Sequence, residues 1–134
     1  VILNRVAHPD FPSTIAGVVK TAKGVGKESW VDFIGTDPKD YANYVEMINE
    51  QAPDYVCAHL ASDIYEVGDA TAAKREMMQN ISKLNWGPKL VFSGGLTVED
   101  IPLIKECNPH MVIVGSAIFK AEDPAAVAKA FHEA

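Results

Sequence analysis

Two glycine-bearing turns stand where an anion could be held. Phe92-Ser-Gly-Gly-Leu96 separates a short apolar run from a helix-like segment starting near Thr97, and Val112-Ile-Val-Gly-Ser116 repeats the arrangement one unit later. Glycine lets the backbone approach a ligand closely, and free N–H groups at a helix start attract phosphate. One such turn after a strand is often only a turn. Two matched turns on consecutive units read as a joint phosphate cup, with Gly94, Gly95, Gly115 and Ser116 as its binding residues. Asp32 lies inside Val31-Asp-Phe-Ile-Gly35. An acid in an apolar run is costly unless it is paired, hydrogen-bonded or functional, so it either meets a buried Lys or backbone amides at a strand end or works in a site. His59 closes the run Tyr55-Val-Cys-Ala-His59, which turns it toward the carboxyl-end mouth of the sheet as a structural or a proton-carrying imidazole. Asp63, four residues on, either orients His59 or caps the next segment. His8-Pro-Asp10 reads as a turn, and His110 and His132 as structural. No Ser/His/Asp order, zinc spacing or Walker pattern is present. Cys57 and Cys107 fall in apolar segments and read as reduced core thiols of a cytoplasmic protein.

The elements that must position these residues follow from periodicity. Val1–Val6, Trp30–Ile34, Tyr55–His59, Leu90–Phe92 and Met111–Val114 are short β-rich runs, apolar on both faces, which fits parallel strands covered on both sides. Between them Ile15, Val18, Val19 and Ala22, then Tyr41, Tyr44, Val45 and Ile48, have helical spacing. Further helices are expected from Thr71 to Leu84, Val98 to Cys107 and Pro124 to His132. Ser13, Asp37 before Pro38, Thr97, and Asp123 before Pro124 are N-cap residue types. The whole chain, residues 1–134, thus reads as one α/β domain of five βα units with parallel strands and no linker. Five units fit a doubly wound flavodoxin-like sheet, or part of a (β/α)8 barrel, which needs eight units and about 250 residues.

Composition narrows the partners. The chain has 134 residues, 48% of them hydrophobic and 22% charged, the mixture of a folded globular domain rather than a disordered one. A net charge of −6 with 12 scattered Lys and Arg argues against nucleic acid. No apolar run approaches the roughly 18 to 20 residues of a membrane span, and no leader opens the chain, so a soluble cytoplasmic protein is expected.

Taken together, Val31-Asp-Phe-Ile-Gly35, Val56-Cys-Ala-His59 with Asp63 and Gly68, Phe92-Ser-Gly-Gly-Leu96, and Met111-Val-Ile-Val-Gly-Ser-Ala-Ile118 followed by Ala121-Glu-Asp-Pro124 resemble the C-terminal part of a hexulose-6-phosphate synthase. The pattern is also similar to 3-keto-L-gulonate-6-phosphate decarboxylase, the sister enzyme in the orotidine-5′-phosphate decarboxylase superfamily. The resemblance implies a dimeric, Mg²⁺-using TIM barrel that handles an enediolate derived from a sugar phosphate, with Val1–Val6 as the fourth barrel strand and Met111–Val114 as the eighth. It also implies that Gly94, Gly95, Gly115 and Ser116 hold the substrate phosphate, that Asp32 is the fifth-strand acid contacting the sugar, and that His59 is the sixth-strand histidine assisting proton transfer. The D-x-K-x-x-D signature of the third strand and the acid of the second, which supply the metal ligands and catalytic lysine, have no counterpart in this sequence. The chain is therefore expected to bind a phosphate ester without turnover by itself. Ser116 stands where the decarboxylase carries Arg, and Leu60-Ala-Ser62 where it carries arginines, which favours the synthase: formaldehyde joined to ribulose 5-phosphate. The alternatives are the decarboxylase and a non-catalytic domain that binds a phosphorylated ligand.

Overall fold

The computed structural model describes residues 11–61 and 70–134. Helix α1 (Phe11–Gly24) leads into strand β1 (Trp30–Asp32), and a 3-10 segment, Pro38–Tyr44, runs straight into α2 (Val45–Gln51) before β2 (Tyr55–His59). Helix α3 (Ala70–Ser82) precedes β3 (Lys89–Ser93), and a single 3-10 turn, Val98–Asp100, continues as α4 (Ile101–Cys107) before β4 (Met111–Val112). A short helix α5 (Ser116–Phe119) and a final helix α6 (Pro124–His132) close the chain. The expected strand Val1–Val6, the His8-Pro-Asp10 turn, Asp63 and Gly68 lie outside the described residues.

The four strands are all parallel and stand side by side in chain order, β1-β2-β3-β4. That order is the wall of a barrel, in which each βα unit pairs with the next. In the doubly wound order 2-1-3-4-5 the second and third units would be separated by the first, whereas here Trp30 pairs directly with Tyr55. Alternation along the strands sends Val31, Val56, Ala58 and Phe92 to the helix side, where they pack with Ile15, Ile48, Met77, Met78 and Ile81 into the main core. Tyr55, Cys57 and Val91, with Trp30 beside them, form a smaller cluster on the opposite face. Both faces of β2 are buried, as the unbroken apolar run implies.

Local chemistry accounts for the element ends. Asp37 caps the 3-10 segment by accepting from the Lys39 N–H at 3.0 Å, and Asp123 caps α6 by accepting from the Ala126 N–H at 2.9 Å. Thr97 and Asp100 form a capping box ahead of α4. Ser13 is not a cap: it lies inside α1, which already includes Phe11 and Pro12. Strand β1 stops at Asp32, short of the expected Ile34, because the Asp32 side chain takes the Ile34 N–H at 2.8 Å and the chain turns. Strand β4 is also shorter than expected, although Ile113 still donates to the Phe92 carbonyl at 2.8 Å. No helix among the described residues is long and apolar enough to cross a membrane.

Candidate functional site

The carboxyl ends of β1 and β2 bring Asp32 and His59 together. Asp32 pairs with Cys57 in the register, so His59 stands two residues further along the same face. His59 Nδ1 lies 2.9 Å from Asp32 Oδ2 and 3.2 Å from Oδ1. The carboxylate is 3% exposed and accepts from both the Ile34 N–H and the ring. It therefore meets backbone, as one reading of its sequence position required, and it also meets the histidine, which the sequence did not disclose. With Nδ1–H donated to Asp32, the tautomer and tilt of the ring are fixed and Nε2 is the nitrogen left to exchange a proton. The His59 side chain is 26% exposed, so the ring is reachable. A cavity of about 440 Å³ opens beside it, lined by Leu60, Tyr41, Thr36, Lys39 and Glu76 among others. Burial, with smaller contributions from Cys57 and Asp32, pushes the Tyr41 hydroxyl far up, so it faces the cavity as a neutral phenol.

The glycine turns sit on the neighbouring strands at the same end of the sheet. Gly94 and Gly95 adopt left-handed φ values of 95° and 60°. A Cβ at Gly94 would lie 2.3 Å from the Leu60 carbonyl oxygen and 2.7 Å from the Leu60 nitrogen. The sequence suggested that glycine here admits a ligand, and the structure shows Gly94 admitting the backbone that follows His59. The Leu60 N–H donates to the Ser93 carbonyl at 3.2 Å, so the two loops are stitched together. The paired register of β3 and β4 ends at Phe92–Val112, and Gly95 and Gly115 each follow three residues later on adjacent strands' loops. Ser116 begins α5, and the Gly115 carbonyl accepts from the Ile118 and Phe119 N–H groups. The four residues expected to form a phosphate cup thus lie at the ends of adjacent parallel strands, beside the strand that ends in His59.

Lys74 and Asp100 were not foreseen. Their side chains are 7% and 9% exposed and meet at 2.5 Å between α3 and the start of α4. The Lys74 ammonium also donates to the Gly95 carbonyl at 3.3 Å. A signal existed: Lys74 falls in the apolar stripe of its helix, among Met77, Met78 and Ile81, where a cation has no business unless paired. Asp100 is the acid three residues after the Thr97 cap. His110, at the opposite end of the sheet, has its ring 5.9 Å from that of Tyr55, in keeping with a structural role. Both cysteines are free, Cys57 fully buried and Cys107 partly so. Among the described residues no group of three or more His, Cys, Asp or Glu could hold a metal ion.

No protein-family model matches the chain. The 3-hexulose-6-phosphate synthase of Bacillus subtilis is 30% identical over 116 residues, 87% of this chain and 53% of that protein. The 3-hexulose-6-phosphate synthase 3 of Staphylococcus saprophyticus is 29% identical over 122 residues, covering 91% and 56% respectively. The crystal structure of 3-hexulose-6-phosphate synthase from Salmonella typhimurium matches with a TM-score of 0.83 at 26% identity, over 99% of this chain and 59% of that one. KGPDC from Streptococcus mutans, 18% identical with a TM-score of 0.65, shares the fold. The chain spans about half the length of the curated relatives it matches. Along nearly its whole length it is a homologue of the 3-hexulose-6-phosphate synthases, and its four-stranded wall is a part of their (β/α)8 barrel.

Proposed function

We propose that the full-length protein is a sugar-phosphate aldolase of the 3-hexulose-6-phosphate synthase kind, which joins formaldehyde to ribulose 5-phosphate through an enediolate. The observation that carries this reading is the contact of Asp32 with His59 Nδ1 at 2.9 Å, on strands next to the paired glycine turns. In this reading the turns at Gly94-Gly95 and Gly115-Ser116 hold the phosphate by backbone N–H groups. Binding there, remote from the reacting carbons, orients the sugar. His59 Nε2 exchanges a proton with the enediolate. Asp32 is the positioning residue: it holds the ring by Nδ1 and supplies the balancing negative charge when the ring takes up a proton. The described residues do not fit the Mg²⁺ that the resemblance implies, since no cluster of three potential ligands stands among them.

The test is steady-state kinetics on the full-length gene product with formaldehyde and ribulose 5-phosphate. His59→Gln is expected to lower kcat about 100-fold or more, the usual contribution of a positioned acid-base group, with little change in KM for the sugar phosphate. Asp32→Asn is expected to lower kcat as well, because an amide no longer imposes the tautomer. Carbon dioxide release from 3-keto-L-gulonate 6-phosphate as the dominant activity would overturn the aldolase reading in favour of the decarboxylase.

A further inference from the structure

The Lys74–Asp100 ion pair is buried, yet burial alone gives it little reason to exist. Taking two charges out of water costs about as much as their attraction returns, and an apolar pair in the same place is often as stable or more so. What the pair does that an apolar pair cannot is fix the turn beside it. Asp100 Oδ2 accepts from Lys74 Nζ, from the Thr97 N–H at 2.8 Å and from the Thr97 hydroxyl at 3.2 Å. Lys74 Nζ reaches past Asp100 to the Gly95 carbonyl. Four positions, 74, 95, 97 and 100, are tied by one ammonium and one carboxylate oxygen.

We propose that Lys74 and Asp100 are positioning residues that hold the Gly94–Thr97 turn in its phosphate-receiving form, an inference that rests on the reading of this turn as the phosphate site. A trans peptide sets its C=O and N–H in opposite directions. Drawing the Gly95 carbonyl toward α3 therefore aims the Leu96 N–H away from α3. Among the described residues neither the Gly95 nor the Leu96 N–H has an acceptor, whereas the Thr97 N–H is already taken by Asp100. Of the two, Gly95 is half-buried and its N–H is the one an anion would meet, whereas Leu96 is 1% exposed and packed in the core, so its N–H lies behind the turn. The ammonium has a second effect: it offsets the charge of a carboxylate that accepts from Thr97, two residues after Gly95, and would otherwise repel a bound phosphate.

The experiment uses the full-length protein and inorganic phosphate as probe, followed by the Gly95 amide resonance, together with KM and kcat for ribulose 5-phosphate. Lys74→Met alone leaves a buried carboxylate unpaired and can fail to fold, so the deciding variant is the double Lys74→Met/Asp100→Leu, which replaces the pair by apolar side chains. The double variant is expected to fold, to bind phosphate at least about tenfold more weakly, the worth of one charge-assisted hydrogen bond, and to show a raised KM with kcat little changed. Lys74→Arg, which keeps the charge, is expected to retain most of the affinity. A folded double variant with wild-type phosphate affinity would overturn the positioning role, as would one that fails to fold, because the pair would then be a stability element. Wild-type protein that does not bind phosphate would bring down the reading of the turn itself, a result distinct from either.

Discussion

Asp32 acts on two neighbours with opposite consequences. It keeps His59 in one tautomer and accessible, while it helps to silence Cys57. That thiol is fully buried, and burial first and the Asp32 charge second push it far above the ordinary thiol value of 9.0. Because the shift is upward, the sulfur stays a neutral thiol throughout the physiological range, and the thiolate is the reactive species. Iodoacetamide at pH 8 is therefore expected to leave Cys57 unmodified in the folded protein and to label Cys107 first, with both labelled in denaturant. Peptide mass spectrometry reads this directly, and rapid native labelling of Cys57 would contradict it. The sulfur nearest the candidate site is thus a packing residue.

At the scale of elements, the loop after β3 is constrained from both sides. The Leu60 backbone presses on Gly94, and Lys74 holds Gly95. Gly94→Ala must move backbone, since its Cβ would lie 2.3 Å from a carbonyl oxygen, and it must also take up a positive φ. A loss of more than about 2 kcal/mol is expected by denaturant melts. Gly26→Ala is the control: φ is 67°, but nothing lies within 4 Å of the added Cβ, so only the left-handed cost of about 1 kcal/mol remains. Equal losses at the two positions would show that conformation alone, and not the contact with Leu60, demands glycine at 94. The turn was legible in the sequence as Ser93-Gly94-Gly95. Which neighbour presses on it was not, because Leu60 is more than 30 residues away in the chain.

For the molecule as a whole, the sheet is unequally protected. Strand β2 lies between β1 and β3, with buried residues on both faces, whereas β4 is two residues long and flanks only β3 among the described residues. Met111 and Ile113 are 39% and 44% exposed on the face that carries Tyr55, Cys57 and His59, and the buried Trp30 indole N–H on that face has no acceptor among the described residues. In a closed barrel this face is the interior. Hydrogen exchange is expected to be slowest at Val56, Cys57 and Ala58 and much faster at Met111 and Val112. Uniform protection across the four strands would show that β4 is held by more than its pairing with β3.

The four described strands, their parallel pairing, the helices between them and the caps at Asp37, Thr97 and Asp123 were determined by the sequence alone. Hydrophobic period and cap chemistry act over a few residues, and both are written in neighbouring positions. The chemistry of Asp32, His59 and the glycines was legible only as residue types. Their grouping depends on strand order and register, which join residues 27 positions apart in the Asp32–His59 contact and 26 apart in Lys74–Asp100. Strand order and register arise from packing the helices over one face of the sheet, so no local pattern encodes them. The tertiary structure alone decided that Asp32 meets His59, and that a buried lysine stands behind the glycine turn.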